Sequence, residues 1–395
     1  MAQRRAGAID QMTSVEQPIT EPDDGATVGL VRGLELTILM PCLDEAATLG
    51  GCISEADGFL RRTGVHGEIL VADNGSTDGS QAIAAQMGAR VVQVEERGYG
   101  ETLRAGMREA RGTFVIMADS DASYDFANLD TMLDGLRSGS DLVVGNRFAG
   151  GIEPGAMPTL NRYVGNPVLS HIARRLFSIP VRAFPCGLRG VRSDTAGSLP
   201  YRSPGMEFAS EMIIRCSFAG LEISEVSTTL RPDGRERAPH LRRWRDGWRH
   251  LSLLLLYSPR WLFLYPGALA VLMAAVLASA AIFADTDERG VRLGVASLGL
   301  FALGMQAICF AVVSKVWGAR LQLLPSDIRV AQFVAEFRLG RMLGITFVGL
   351  VVGALLLGIG LSQSGIDAFD ILAVGVVLVS VQLALNSALV SMSTL

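Results

Sequence analysis

The chain has 395 residues, enough for two or three domains, and its formal net charge of −4 argues against a general nucleic-acid partner. Apolar residues make up 49% of it and the mean hydropathy is positive, high for a wholly soluble protein, and the excess lies in residues 261–395 rather than in residues 34–250. The five cysteines, Cys42, Cys52, Cys186, Cys216 and Cys309, show no paired spacing, which predicts reduced and mostly buried thiols.

Residues 1–33 lack the apolar core of a signal peptide and read as a disordered tail, so the soluble part is expected to be cytoplasmic. Leu36 to Met40 is a short β-type run, followed by the loop Pro41 to Glu45 and a helical pattern from Ala46 to Leu60. Glu68 to Ala72 is a second strand. It ends in Asp73-Asn74-Gly75-Ser76-Thr77-Asp78-Gly79, whose glycines and Asx residues predict a tight turn before a helix at Ser80 to Met87. A third strand, Ala89 to Val94, leads through Arg97-Gly98-Tyr99-Gly100 to a helix at Glu101 to Ala110. The glycines lack the third member of a dinucleotide fingerprint, but free N–H groups at that helix start would favour phosphate.

Phe114 to Ala118 is a strand that runs directly into Asp119-Ser120-Asp121. In an α/β sheet, groups at the carboxyl ends of strands face the ligand cleft, and two carboxylates there suit Mg2+ or Mn2+ together with a nucleotide diphosphate. An Asp-x-Asp is equally the polar turn that ends a strand, so the rest of the chain must decide. Asp141 to Gly145 predicts a fifth strand ending at Asn146-Arg147. Gly- and Pro-rich loops follow, with a helix near Val164 to Phe177, a short strand at Cys186 to Val191 and a helix at Met206 to Ala219 carrying Glu207 and Glu211. The alternation of strands and helices predicts an α/β domain over 34–238 with a mostly parallel sheet.

Residues 239–260, basic and rich in tryptophan, have the makeup of an interfacial amphipathic helix. Apolar runs at 261–284, 291–317, 342–361 and 371–392 are each long enough to span hydrocarbon. The link holding Lys315, Arg320, Arg329, Arg338 and Arg341 is the basic one, which predicts four transmembrane helices with that link, the α/β domain and both termini in the cytoplasm.

Taken in order, these motifs resemble the inverting family 2 glycosyltransferases with a GT-A fold, and within them the polyprenyl-phosphate (dolichol-phosphate) sugar synthases. Pro41 to Glu45 is similar to the family's Pro-x-x-Asn-Glu turn, with Asp44 in place of Asn; Asp73 to Asp78 resembles its Asp-Asp-Gly-Ser-x-Asp; Asp119-Ser120-Asp121 resembles its DxD. The resemblance implies a donor site built from Pro41, Glu45, Asp73, Gly75, Ser76, Asp78, Arg97, Gly98, Asp119 and Ser120. Asp73 would accept the ring N–H of uracil or guanine, and Asp119 and Asp121 would hold the metal. It also implies an acceptor phosphate held by Arg147, Arg162, Arg231 and Arg235. A lipid phosphate is already anionic and needs positive charge more than a base. Catalytic roles are expected for Asp121 and Arg147. Glu207 or Glu211 is a candidate base, because Ala183 stands where members often carry an acid.

The expected reaction moves one sugar from a UDP- or GDP-sugar to polyprenyl phosphate at the cytoplasmic face of a bacterial inner or plasma membrane. The same fold acting on another lipid or glycan, and an inactive lipid-sugar transporter or scaffold, are the alternatives; a homo-oligomer fits any of these. His240 in the Gln place of a Gln-x-x-Arg-Trp motif argues against processive synthesis.

Overall fold

The computed structural model describes residues 33–235, 243–284, 287–330, 332, 339–360 and 368–392. Residues 1–32 of the expected N-terminal tail 1–33, residues 239–242 of the interfacial segment, most of the link 362–370 and Arg338 lie outside these residues.

Seven strands form one sheet in the order β3-β2-β1-β4-β6-β5-β7. They are β1 (Leu36–Cys42), β2 (Gly67–Asp73), β3 (Arg90–Gln93), β4 (Phe114–Met117), β5 (Leu142–Asn146), β6 (Arg189–Arg192) and β7 (Ile223–Ser227). Every pairing is parallel except the two made by β6, which runs antiparallel to β4 and to β5. The expected mostly parallel sheet is therefore present, with one reversed strand inserted near its middle. All residues of β1 and β4 are buried, which explains why they read as unbroken apolar runs rather than alternating ones.

The flanking helices are α1 (Ala46–Thr63), α2 (Ser80–Gln86), α3 (Tyr99–Glu109), α4 (Asp130–Arg137), the single turn α5 (Arg147–Gly150), α6 (Asn166–Phe177) and α7 (Phe208–Phe218). The α3 helix packs on β1 and β2, and α4 covers the β4, β5, β6 and β7 side. Gly190 at the centre of β6 makes room for α4, since a Cβ there would lie 2.9 Å from Leu136 Cδ1. Because β1, β2, β4 and β5 run the same way, their carboxyl ends bring Cys42, Asp73, Asp119 and Asn146 to one edge of the sheet, with Cys42 paired to Asp73.

Beyond the sheet come α8 (Arg243–Leu256), a π-helical turn Arg260–Leu264 leading into α9 (Tyr265–Ile282), then α10 (Asp287–Arg320), α11 (Leu339–Gly360) and α12 (Ala368–Met392). Three helices are long and apolar enough to cross a membrane, Arg260–Ile282, Glu288–Arg320 and Gly340–Gly358; the fourth expected span has a shorter apolar stretch, Ala373–Leu389. This is the composition of a membrane protein. Small residues let the helices approach. A Cβ on Gly304 would meet Gly267 O at 2.8 Å across the α9–α10 crossing, and one on Gly353 would meet Val377 Cγ2 at 2.5 Å across α11–α12. Polar bonds join α10 to α12, with Gln382 Nε2 donating to Ala302 O at 3.0 Å and Gln306 exchanging 3.3 Å bonds with Asn386.

The α8 helix is fastened to the sheet domain through Glu211, which is wholly buried. Its carboxylate accepts from Arg215 Nε (2.7 Å), Tyr257 Oη (2.9 Å) and the N–H groups of Arg202 and Ser203 (2.9 and 2.7 Å). Arg215 in turn donates to Gln322 O at 2.9 Å, beyond the end of α10. Burial by itself would raise the Glu211 pKa, but the bonds from Arg215, Ser203 and Arg202 hold it below the ordinary glutamate range.

Candidate active site

The loop after β1 and the loop after β2 lock together. Asp44 takes a left-handed backbone, φ 55°, a conformation that Asn and Asp adopt more readily than other side chains. Its N–H donates to Ser76 Oγ (2.8 Å) and its Oδ1 accepts from Thr77 N–H (2.7 Å). Asp78 clips two helix starts together, with Oδ2 accepting from Ala46 N–H (2.8 Å) and Oδ1 from the Ser80 N–H and hydroxyl (3.0 and 2.6 Å). Both of its oxygens are thereby engaged in holding the loops. Burial pushes its pKa up, but Ser80 and the Ala46 N–H outweigh that and lower it.

Asp73 ends β2 with 1% exposure. Its Oδ2 accepts from the Gly75 and Ser76 N–H groups (3.0 and 3.1 Å) and from Gln81 Nε2 (2.6 Å), whereas Oδ1 is buried with no partner. Buried carboxylate oxygens are usually paired, so Oδ1 stands out beside its fully engaged neighbours. Asn74, which the sequence reading gave no separate role, carries the loop onward. Its Nδ2 donates to Val94 O and Glu96 O (3.1 and 2.8 Å), and its Oδ1 accepts from Gly98 N–H (2.9 Å).

The Gly98-Tyr99-Gly100 turn differs from the expectation of free N–H groups. Gly98 donates to Asn74 and Gly100 to Pro204 O at 2.8 Å, because the turn packs directly on the 203–204 backbone. A Cβ on Gly100 would come within 2.1 Å of Ser203 O. Tyr99 is what this turn presents, half-buried and within electrostatic reach of Asp119. Arg97, just ahead of it, is exposed.

Around the DxD, Ser120 is structural: its hydroxyl donates to Pro41 O (2.8 Å) and its carbonyl accepts from Thr48 Oγ1 (2.7 Å), tying β1, α1 and the loop after β4 together. Asp121, 6% exposed, has Oδ1 taken by the Ser123 N–H and hydroxyl (3.0 and 2.5 Å). These bonds hold Ala122 at φ 64°, a strained conformation for alanine. Asp119 lies against Gly187, where a Cβ would sit 3.0 Å from its Oδ2 and crowd that carboxylate. Burial, with the Asp121 charge second, pushes the Asp119 carboxyl up to about 6, opposed by Tyr99 and Arg235.

The four arginines expected at the acceptor separate into two groups. Arg231 is paired with Glu55 (2.8 Å) and Asp125 (2.9 Å), and Arg235 with Glu45 (2.9 Å) and Asp121 (3.1 Å); both are struts between carboxylates. Arg147, at the carboxyl end of β5, donates one Nη to Pro185 O (3.0 Å) and keeps a buried Nε without partner. Arg162 stacks on Tyr163 at 5.6 Å.

Glu207 does not join the donor carboxylates. It lines a cavity of about 500 Å³ with Arg202, Trp248, Arg249 and Leu253, whose lining includes none of Asp119, Asp121 or Arg147. Glu211 is spent on the α8 joint and is no base. At the Ala183 position, Glu225 of β7 reaches across to accept the Arg182 and Ala183 N–H groups (2.8 and 2.7 Å) and Asn146 Nδ2 (2.8 Å). No local pattern marks Glu225, since its partners lie some forty residues away in the chain. All five cysteines are free, four of them buried, as their spacing implied.

Asp119 and Asp121 supply only oxygen, and among the described residues no group of three His, Cys, Asp or Glu side chains is placed to hold a metal. Two carboxylates suit a hard divalent ion that completes its shell from water and substrate phosphates. The residues present therefore fit such an ion bound together with a diphosphate.

Similarity to known proteins extends along most of the chain. The family model for glycosyl transferase family 2 matches residues 37–196. The low-salt glycan biosynthesis hexosyltransferase Agl6 of Haloferax volcanii is 32% identical over 376 residues, 90% of this chain and 88% of that one. The dolichyl-phosphate hexose transferase of the same organism is 30% identical over 197 residues, 50% of this chain and 83% of its own. Among solved structures, glucosyl-3-phosphoglycerate synthase from Mycobacterium tuberculosis with Mn2+, UDP and glucosyl-3-phosphoglycerate aligns with TM-score 0.46 and 23% identity, over 62% of this chain and 85% of the other. With the motif order, the family model and the near full-length relative in agreement, the chain belongs to glycosyl transferase family 2.

Proposed function

We propose that this glycosyltransferase moves a single hexose from a UDP- or GDP-sugar to polyprenyl or dolichyl phosphate, with inversion, at the cytoplasmic face of the membrane. The observation that carries the donor half is the open, buried Oδ1 of Asp73 at the same sheet edge as the DxD carboxylates. That oxygen accepts the ring N–H of uracil or guanine. Asp119 and Asp121 hold Mg2+ or Mn2+, which when bound neutralises charge on the departing diphosphate. Tyr99 lies within electrostatic reach of Asp119. Burial and the nearby Asp119 charge raise its hydroxyl pKa well above the ordinary tyrosine range, so it stays a donor.

The acceptor half is supported by the dolichyl-phosphate hexose transferase among the relatives and by the apolar helices that follow the sheet domain. A lipid phosphate needs no proton removed, which agrees with Glu207 lying in a separate cavity and with Glu225, the carboxylate found at Ala183, being taken up by the Arg182 and Ala183 N–H groups and Asn146. Arg147, with its unpartnered Nε at the end of β5, is the arginine best placed to meet that phosphate. Trp248, Leu256, Trp261 and Tyr265 are exposed on and just after α8, the makeup of an interfacial segment leading into four spans with both termini inside.

The test is transfer of label from a panel of UDP- and GDP-sugars to short-chain polyprenyl phosphate with Mn2+, counted in the organic phase. Label from one donor, lost with chelator, is the expected result. No transfer from any donor, alongside metal-dependent nucleotide binding, would reject the lipid-phosphate acceptor and leave the donor site standing.

A further inference from the structure

The turn Arg231 to Arg235 was expected at the acceptor, yet it is docked on the DxD itself. Arg231 N–H donates to Ser123 O and Gly234 N–H to Asp121 O, each at 2.9 Å, and a Cβ on Gly234 would lie 2.9 Å from Thr48 Cγ2. With the Arg231 side chain held by Glu55 and Asp125, the backbone of the turn is pinned at both ends. The Arg235 side chain is 15% exposed and spans Glu45 and Asp121.

The choice of oxygen matters. Asp121 Oδ1 is already saturated by Ser123, so Oδ2 is the oxygen available to a cation, and Oδ2 is the one that Arg235 Nη1 holds. Glu45 and Asp121 are both buried carboxylates held by the same guanidinium, a pair of like charges that burial keeps in place only with a counter-charge between them. A guanidinium supplies one from the protein. A divalent ion would supply one from solution, at the same oxygen.

We propose that Arg235 is a displaceable counter-ion of the donor site: it keeps Asp121 and Glu45 ordered, yields Asp121 Oδ2 to the arriving divalent ion, and then pairs with the nucleoside diphosphate. This rests on the donor-site reading above. Only the side chain has to move, because the turn is anchored through its backbone and through Arg231. The consequence is that metal alone binds weakly, having to compete with Arg235, whereas metal and diphosphate together bind well, since the diphosphate gives the released guanidinium a new partner. Arg235 is thus a positioning residue of the donor side rather than a ligand of the acceptor phosphate.

Binding of Mn2+ to the purified full chain, followed by the paramagnetic resonance of free Mn2+ with and without UDP or GDP, tests this without catalysis. In Arg235→Gln, Mn2+ alone is expected to bind about tenfold more tightly and the nucleotide, at saturating Mn2+, about tenfold more weakly. Arg235→Lys, which keeps the charge but not the fork, should fall between and guards against a variant that fails to fold, with melting curves run on both. Equal Mn2+ affinity in the wild type and both variants overturns the inference, while wild-type binding of Mn2+ with nucleotide keeps the donor site. A wild type that binds neither overturns both.

Discussion

In the proposed donor site, Asp121 is the side chain whose replacement tests the metal-holding role most directly. Asparagine in its place keeps the bonds to Ser123 and removes the charge at Oδ2. Asp121→Asn is therefore expected to melt close to the wild type but to lose at least ~100-fold in transfer rate, the scale of one lost electrostatic contact to a developing charge. A variant retaining a tenth of wild-type transfer would count against the metal-holding role. Asp119 gives the site a pH dependence. Its carboxyl is raised from 3.8 to about 6 by burial and by Asp121, so it is neutral below that pH and ionised above it. Metal needs the ionised form. Apparent Mn2+ affinity in the presence of nucleotide should thus rise with pH up to about 6 and level off beyond it, at a slope approaching tenfold per pH unit below. The sign for stability is the reverse. The native state binds the extra proton, so the metal-free fold loses stability as pH rises through the window from 3.8 to about 6. A Mn2+ titration flat from pH 5 to pH 7 would show that Asp119 does not carry the ion.

Helices and strands were legible where a run of side chains shares one environment for long enough. The fully buried β1 and β4 and the eighteen-residue α1 announce themselves by composition and period. The α4 helix, eight residues long, is too short to show a period, and nothing in the sequence reading marked it. The direction of β6 was equally hidden. An isolated four-residue strand carries no orientation of its own; the chain returning from α6 sets it. At this level Glu211 is the joint to watch. Glu211→Ala leaves a buried Arg215 without its ion pair and two N–H groups without an acceptor, and is expected to destabilise the protein by roughly 3–5 kcal/mol. Denaturation of the detergent-solubilised chain reads this. A loss below 1 kcal/mol would mean that α7, α8 and the end of α10 are held together by packing and not by this carboxylate.

The molecule as a whole joins a soluble catalytic sheet to apolar helices, and the membrane part was readable because hydropathy is a property of contiguous residues. The protein should resist extraction from membranes by high salt or alkaline carbonate and come off only with detergent; release by salt alone would reduce the helices to a peripheral contact. Gly304→Val drives a side chain into the Gly267 carbonyl at the α9–α10 crossing and should lower the melting temperature while leaving nucleotide binding by the sheet domain in place. Local composition and order alone gave the α/β class, the strand-end acids Asp73, Asp119 and Asp121, and the apolar tail, since each depends on neighbours in sequence. Tertiary structure decided the rest. Arg235 meets Glu45 across 190 positions and Arg231 meets Glu55 across 176, so whether such an arginine faces a substrate phosphate or a carboxylate of its own chain depends on how the chain closes, and no periodicity records that.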